Sequence, residues 1–270
     1  QLMEIRGKRG KDNYLPHCLG HEGVGVVKKT YKGCKNFKNG DFVCLSWVKS
    51  KNYKARGVVY ESNKGEKINA GPIHTLNTYG VIDESRIYKL KNSNDIKKKV
   101  LLGCALPTTF NIFLENKDIT NKSSICIIGA GGLGISFLIL AQKLGYSNIF
   151  IIDKNKRKID LLRKFKGIKT YTNINQIFNL KFDFVIECTG NIKILENTHF
   201  ITKKFGGRVI VVGNYPNGSK ISIDPWNIVN GINYKGVWNS EIDFSKKFKK
   251  LEKIFKDLKN LEILSNNVYN

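Results

Sequence analysis

The stretch Ile125-Cys126-Ile127-Ile128-Gly129-Ala130-Gly131-Gly132-Leu133-Gly134 constrains this chain more than any other. An apolar run of strand length breaks into glycines and resumes as Ile135-Ser136-Phe137-Leu138-Ile139-Leu140-Ala141, which reads as a helix. Gly129, Gly131 and Gly134 fit the spacing G-x-G-x-x-G. In a dinucleotide-binding unit the first glycine makes the tight turn and the second admits a pyrophosphate against the backbone. The third lets the helix lie close on the strand, with the phosphates at the helix N-terminus. Glycine-rich turns also join strands to helices for structural reasons alone, so context decides. A second apolar run, Asn148-Ile149-Phe150-Ile151-Ile152, ends in Asp153, 19 residues after Gly134. There such a unit carries a carboxylate for the ribose hydroxyls.

From residue 124 onward, strands and helices alternate as a parallel sheet requires. Strands are expected at 125–128, 149–152, 182–187 and 208–213, with helices at 131–144, 155–165 and 191–204. Phe184-Val185-Ile186-Glu187-Cys188-Thr189-Gly190 and Gly207-Arg208-Val209-Ile210-Val211-Val212-Gly213 each end in glycine at a strand's carboxyl end. Ligands of open α/β sheets lie at that edge, although plain loop glycines are an equal reading. Val100 to Phe110 predicts a helix, a break at Pro107 and a second helix start. Tyr234 to Trp238 predicts a last strand. Residues 243–262 place Phe244, Phe248, Leu251, Ile254, Phe255, Leu258 and Leu261 at helical spacing with lysines opposite, an amphipathic helix that covers a core or lies on a membrane surface.

The first third is different. Residues 1–16 read as loop, and several short strands with turn signals follow, the pattern of a small β-barrel or sandwich. Asn39-Gly40-Asp41 supplies turn chemistry before Phe42-Val43-Cys44-Leu45. In Leu19-Gly20-His21-Glu22-Gly23-Val24-Gly25-Val26-Val27, His21 and Glu22 can both ligate zinc. A lone His-Glu pair is also a common surface or core feature.

Composition narrows the partners. The formal net charge is +24, which raises nucleic acid. Yet the lysines run along the whole chain, and clusters such as Lys97-Lys98-Lys99 read as solvated faces, so no specific nucleic acid is expected. No run approaches the ~18 apolar residues of a membrane span, no signal-peptide pattern opens the chain, and no membrane partner is expected. The six cysteines are scattered without a C-x-x-C pair, which favours a reducing cytoplasm. The first residue is Gln1, so the chain reads as a fragment.

Together, GHEGVGVV at 20–27, NGDFV at 39–43, GCALPT at 103–108, GAGGLG at 129–134 and ECTG at 187–190 resemble the medium-chain, zinc-dependent alcohol dehydrogenase family. The resemblance runs from about Leu19 to Trp238. It implies an α/β protein in which a Rossmann parallel-sheet domain joins a partial GroES-like β-barrel domain, with the active site in the cleft where they meet. The expected division is a GroES-like catalytic domain over 1–98, a dinucleotide-binding domain over 99–240 and a C-terminal helix over 241–270 returning toward the catalytic domain. Carried over, His21 and Cys104 match zinc ligands and Glu22 a neighbouring glutamate that ligates transiently. Thr108 matches a residue beside the nicotinamide. Gly129, Gly131, Gly132, Leu133 and Gly134 match the pyrophosphate loop, with Thr189 and Gly213 at the cofactor edge. Asp153 matches the ribose carboxylate that favours NAD over NADP, and Lys158 a lysine near the adenosine ribose. Lys154 and Arg157 nearby weaken the exclusion of NADP.

The implied activity is hydride transfer between an alcohol or polyol and NAD, on small alcohols or aldehydes, in a dimer or tetramer. Zinc would serve as Lewis acid. The sequence departs from the family in several ways. A first zinc cysteine would fall before Gln1, and the C-terminal end is short. Residues 44–70 hold only Cys44 where the family carries four cysteines, so one catalytic zinc and no structural zinc is expected. Thr109 replaces a usual glycine, and Cys18 offers a substitute ligand. A non-catalytic NAD-binding remnant is the alternative.

Overall fold

The computed structural model describes residues 2–12, 14–48, 55–92, 94–116, 118–237 and 244–265. Trp238 at the end of the expected last strand and residues 241–243 before the C-terminal helix lie outside them. The chain divides into two compact units, Gln1–Pro107 with Asn239–Asn270, and Thr108–Trp238.

The first unit opens on a short helix, α1 (Leu2–Ile5), where a loop is expected from sequence. Its strands are β1 (Glu22–Val26), β2 (Phe42–Ser46), β3 (Val58–Glu61), β4 (Lys67–Gly71) and β5 (Ile87–Lys89). β1 and β5 both pair antiparallel with β2, while β3 and β4 form a separate two-stranded ladder. The Asn39-Gly40-Asp41 turn closes onto the end of β1. Gly40 N donates to Val27 O and Val27 N to Asp41 O, both at 2.9 Å. Helix α2 (Ile96–Lys99) continues into a 3₁₀ turn, Val100–Gly103.

Helix α3 (Ala105–Glu115) starts directly after Cys104 and runs through Pro107. The break expected at that proline does not occur. Pro107 occupies the first turn, where its missing N–H has no intrahelical partner to lose.

The second unit is a six-stranded parallel sheet. In chain order its elements are β6 (Ile125–Ile128), α4 (Gly132–Lys143), β7 (Ile149–Ile152), α5 (Lys156–Leu162), β8 (Ile168–Tyr171), β9 (Phe184–Glu187), α6 (Ile192–Asn197), β10 (Arg208–Val211), α7 (Pro225–Val229) and β11 (Asn233–Gly236). The spatial order β11-β10-β9-β6-β7-β8 reverses direction at β6 and β9, as in a doubly wound fold. Strands β6, β7 and β9 are buried along their whole length, which explains their unbroken apolar runs. The helix expected over 191–204 is α6 followed by a 3₁₀ turn, Thr198–Ile201.

The C-terminal segment forms α8 (Phe244–Lys256) and α9 (Glu262–Ser265). Phe248, Leu251, Phe255 and Leu261 are buried, whereas Lys249 and Lys250 are exposed. Phe248 stacks on Tyr88, ring centroids 4.8 Å apart and 15° from parallel. Each such side chain contributes about 1.5–3 kcal/mol on leaving water. The apolar stripe therefore covers a core. Among the described residues, no helix is long and apolar enough to cross a membrane.

Candidate functional site

His21 immediately precedes β1 and Glu22 begins it, so one strand end fixes both side chains. Their third neighbour arrives from 82 residues further on by a close approach of backbones. Gly103 O accepts from Ser46 Oγ at 2.6 Å and from Trp47 N at 3.2 Å, fastening the 3₁₀ turn to the end of β2. A Cβ at Gly103 would meet Leu45 O at 2.5 Å and Glu22 Cα at 3.1 Å. Only glycine lets the turn lie this close to β1 and β2, and Cys104 is thereby delivered beside Glu22.

The result is a cluster in which one ligand atom each of His21, Glu22 and Cys104 lies within 4.8 Å of the others, all three side chains half-buried. Imidazole nitrogen, thiolate sulfur and carboxylate oxygen are the donors zinc takes, and the spacing suits a single ion, so the residues fit that metal. No other such cluster occurs among the described residues. Cys18 stands outside it, its peptide N–H bonded to Asn69 O at 2.7 Å. Burial holds the His21 imidazole below the ordinary histidine range, which favours the neutral ring a metal requires. Burial also pushes the Glu22 carboxyl up to about 7, against hydrogen bonds from the Ala105 N–H and Cys104. Thr108 is buried one turn along α3.

The second unit assembles the remaining candidates. β6 ends at Ile128, and α4 begins at Gly132 with Gly131 as its N-cap residue and no side-chain cap. Its first N–H groups are therefore open to an anion. Gly134 packs so tightly that a Cβ would overlap Gly129 O. At Gly131 and Gly132 a Cβ would meet nothing within 4 Å, so the outer face of the turn is open. Asp153 follows β7 and turns back onto the same loop, where Oδ2 accepts the Ala130 N–H at 2.8 Å. Lys158 Nζ pairs with that oxygen at 3.3 Å. Lys154 and Arg157 are exposed beside it. Thr189 lies across from the loop, since a Cβ on Gly129 would come to 3.0 Å from Thr189 Cγ2. Gly213 follows β10 and abuts Gly190.

Two pairs of participants escape sequence reasoning. Trp47, just past β2, sets its ring edge-on to His21, and the Arg86 guanidinium lies over that ring at 5.3 Å while donating to Trp47 O. Glu187 and Tyr215 hydrogen-bond each other at the carboxyl edge of β9. A carboxylate ending an otherwise apolar strand was the visible signal for Glu187, because it has to find donors. Trp47 left no comparable signal.

Residues 2–92 match the alcohol dehydrogenase GroES-like domain family, and residues 132–257 match the zinc-binding dehydrogenase family. The class-3 alcohol dehydrogenase of Drosophila melanogaster is 27% identical over 280 residues, spanning 87% of this chain and 73% of the fly protein. The S-(hydroxymethyl)glutathione dehydrogenase of Photobacterium damsela subsp. piscicida is 24% identical over 260 residues, spanning 83% and 70%. The fold is similar to that of benzyl alcohol dehydrogenase from Acinetobacter calcoaceticus, with a TM-score of 0.78 at 21% identity over 95% of this chain and 78% of that one.

Proposed function

The chain belongs to the medium-chain, zinc-dependent alcohol dehydrogenase family, and we propose that His21, Glu22 and Cys104 hold one catalytic zinc in a dehydrogenase of alcohols or polyols. The reaction is hydride transfer between an alcohol carbon and a nicotinamide. The observation that carries the zinc assignment is the meeting of three different zinc donors within 4.8 Å of one another, from two distant stretches of chain. Held by His21, Glu22 and Cys104, zinc would supply Lewis acidity that lowers the pKa of the alcohol.

The chain's own groups account for the rest. His21 stays neutral because it is buried, so its ring presents a lone pair. Glu22 carries a carboxyl that titrates near neutrality and can hold or release a proton beside Cys104. The open N–H groups at the start of α4 take the pyrophosphate, and the Gly129 to Gly134 turn brings backbone close to it. Asp153 accepts from the adenosine ribose and disfavours a 2′-phosphate, so NAD is preferred over NADP. Lys158, already paired with Asp153, supports the ribose, while Lys154 and Arg157 moderate the preference. Thr108, Thr189 and Gly213 line the nicotinamide side.

None of Cys18, Cys34, Cys44, Cys104, Cys126 and Cys188 is in a disulfide, which supports work in a reducing cytoplasm. The substrate is a small alcohol or aldehyde, and the working form is a dimer or tetramer. The deciding experiment measures zinc per purified chain together with NADH binding and turnover over a panel of alcohols. About one zinc with NAD-linked turnover supports the proposal. NADH binding without zinc or turnover makes the chain a nucleotide-binding remnant instead.

A further inference from the structure

Glu187 ends β9, the strand beside β6 where the sheet order reverses. Its carboxylate has no exposed surface. A buried carboxylate is costly unless several donors surround it, and here they come from two loops. Oε1 accepts the Thr189 N–H at 2.6 Å and the Thr189 hydroxyl. Oε2 accepts the Gly190 N–H at 3.4 Å and the Tyr215 hydroxyl. Burial and the adjacent carboxylate push the Tyr215 phenol well above its usual range, so it remains a donor.

The two loops are packed against each other at the same place. Glu187 O accepts the N–H groups of Val212 and Gly213 at 2.9 and 3.0 Å. A Cβ on Gly213 would overlap Glu187 Oε2 and the Gly190 N–H, and one on Gly190 would overlap Asn214 O. Thr189, held by Oε1, is the residue that faces Gly129. The sheet itself needs none of the side-chain bonds, because β9 is paired by backbone to β6 and to β10 along its whole length. An apolar residue at 187 would complete the strand without recruiting four donors, so the carboxylate serves the loops.

We propose that Glu187 is a positioning residue for the dinucleotide, its carboxylate clasping the loop after β9 to the loop after β10 so that the wall for the nicotinamide half is shaped before binding. The proposal rests on the dinucleotide reading of the glycine turn. Its direction follows from the sheet order. Asp153 follows β7 on one side of β6, while β9 and β10 lie on the other. A dinucleotide with its adenosine ribose at Asp153 therefore extends its other half over β9 and β10.

Glu187→Gln keeps the size of the side chain but turns one acceptor into an amide that opposes the donors around it. NADH and ADP-ribose, which lacks the nicotinamide, are titrated against the wild-type chain and this variant. NADH should bind at least about tenfold more weakly to the variant, with ADP-ribose unchanged within about twofold. Equal weakening of both ligands, or of neither, overturns the clasp. If Glu187→Gln does not fold, Tyr215→Phe removes a single donor and should weaken NADH about threefold with ADP-ribose unchanged; the same equalities overturn the proposal there. A wild-type chain that binds neither ligand refutes the dinucleotide reading itself, and the clasp falls with it. Wild-type binding with an indifferent variant refutes the clasp alone.

Discussion

Trp47 stands edge-on to His21, the ring centroids 6.1 Å apart and the planes inclined at 70°. The contact restricts the imidazole on one side, and Arg86 restricts Trp47 from behind through its peptide oxygen and its ring face. Trp47→Ala should free the His21 ring and weaken zinc about three- to tenfold, the effect of one aromatic pair. Competition with a chelator of known affinity measures it. Unaltered affinity would mean that the ring is held by its backbone alone.

Cys104→Ala removes a ligand outright and leaves His21 with Glu22. Zinc affinity should fall by more than about a hundredfold, beyond what loss of a supporting partner costs. Metal content after exhaustive dialysis reads the result, and a chain that keeps its zinc would show that the sulfur is not a ligand.

Glu22 gives the metal-free chain a pH signature. Its carboxyl is raised from 4.5 to about 7 in the folded state, so the folded chain binds the proton more tightly than the unfolded one. That contribution to stability is fully present below 4.5 and disappears as pH rises through about 7. Glu22→Gln should flatten the dependence. The comparison is the urea midpoint of both metal-free proteins at about pH 5 and about pH 8; parallel curves would assign the slope to other groups.

Asp153→Ala should relax cofactor choice, moving the ratio of NADPH to NADH affinity about tenfold toward NADPH, the scale of one lost charge repulsion. The variant also loses the acceptor of the Ala130 N–H, so some weakening of NADH accompanies the change. Preference that stays at the wild-type ratio would remove Asp153 from this role.

Phe248→Ala empties a buried position against Tyr88 and should cost about 3–5 kcal/mol of stability by urea unfolding. Lys249→Ala on the exposed face of the same helix should stay within about 0.5 kcal/mol. A small loss at Phe248 would mean that α8 is not part of the core.

Local pattern carried much of this protein. The apolar runs of β6, β7 and β9 are uninterrupted because both faces of those strands are covered, and the glycine spacing names its own turn. β8 escaped notice because Ile168-Lys169-Thr170-Tyr171 lies at the sheet edge, where half-burial leaves no clean apolar signal. Pro107 misled because a proline in a first helical turn looks the same in sequence as one that ends a helix. The metal cluster was legible only through family resemblance. What joins Cys104 to Glu22 is the fit of Gly103 against Leu45 O, a contact across 58 residues that no local pattern announces. Glu187 was quoted within its motif but its partners Tyr215 and Gly213 lie over twenty residues away.

The stacking of Phe248 on Tyr88 has a further consequence during synthesis. A ribosome releases Tyr88 long before Phe248, and the whole of Thr108–Trp238 emerges in the interval. The later-starting unit is continuous in sequence and can close on itself as it leaves the tunnel. The earlier one must wait, its apolar face bare to water, until α8 is translated. For this chain, the order of birth and the order of completion are opposite.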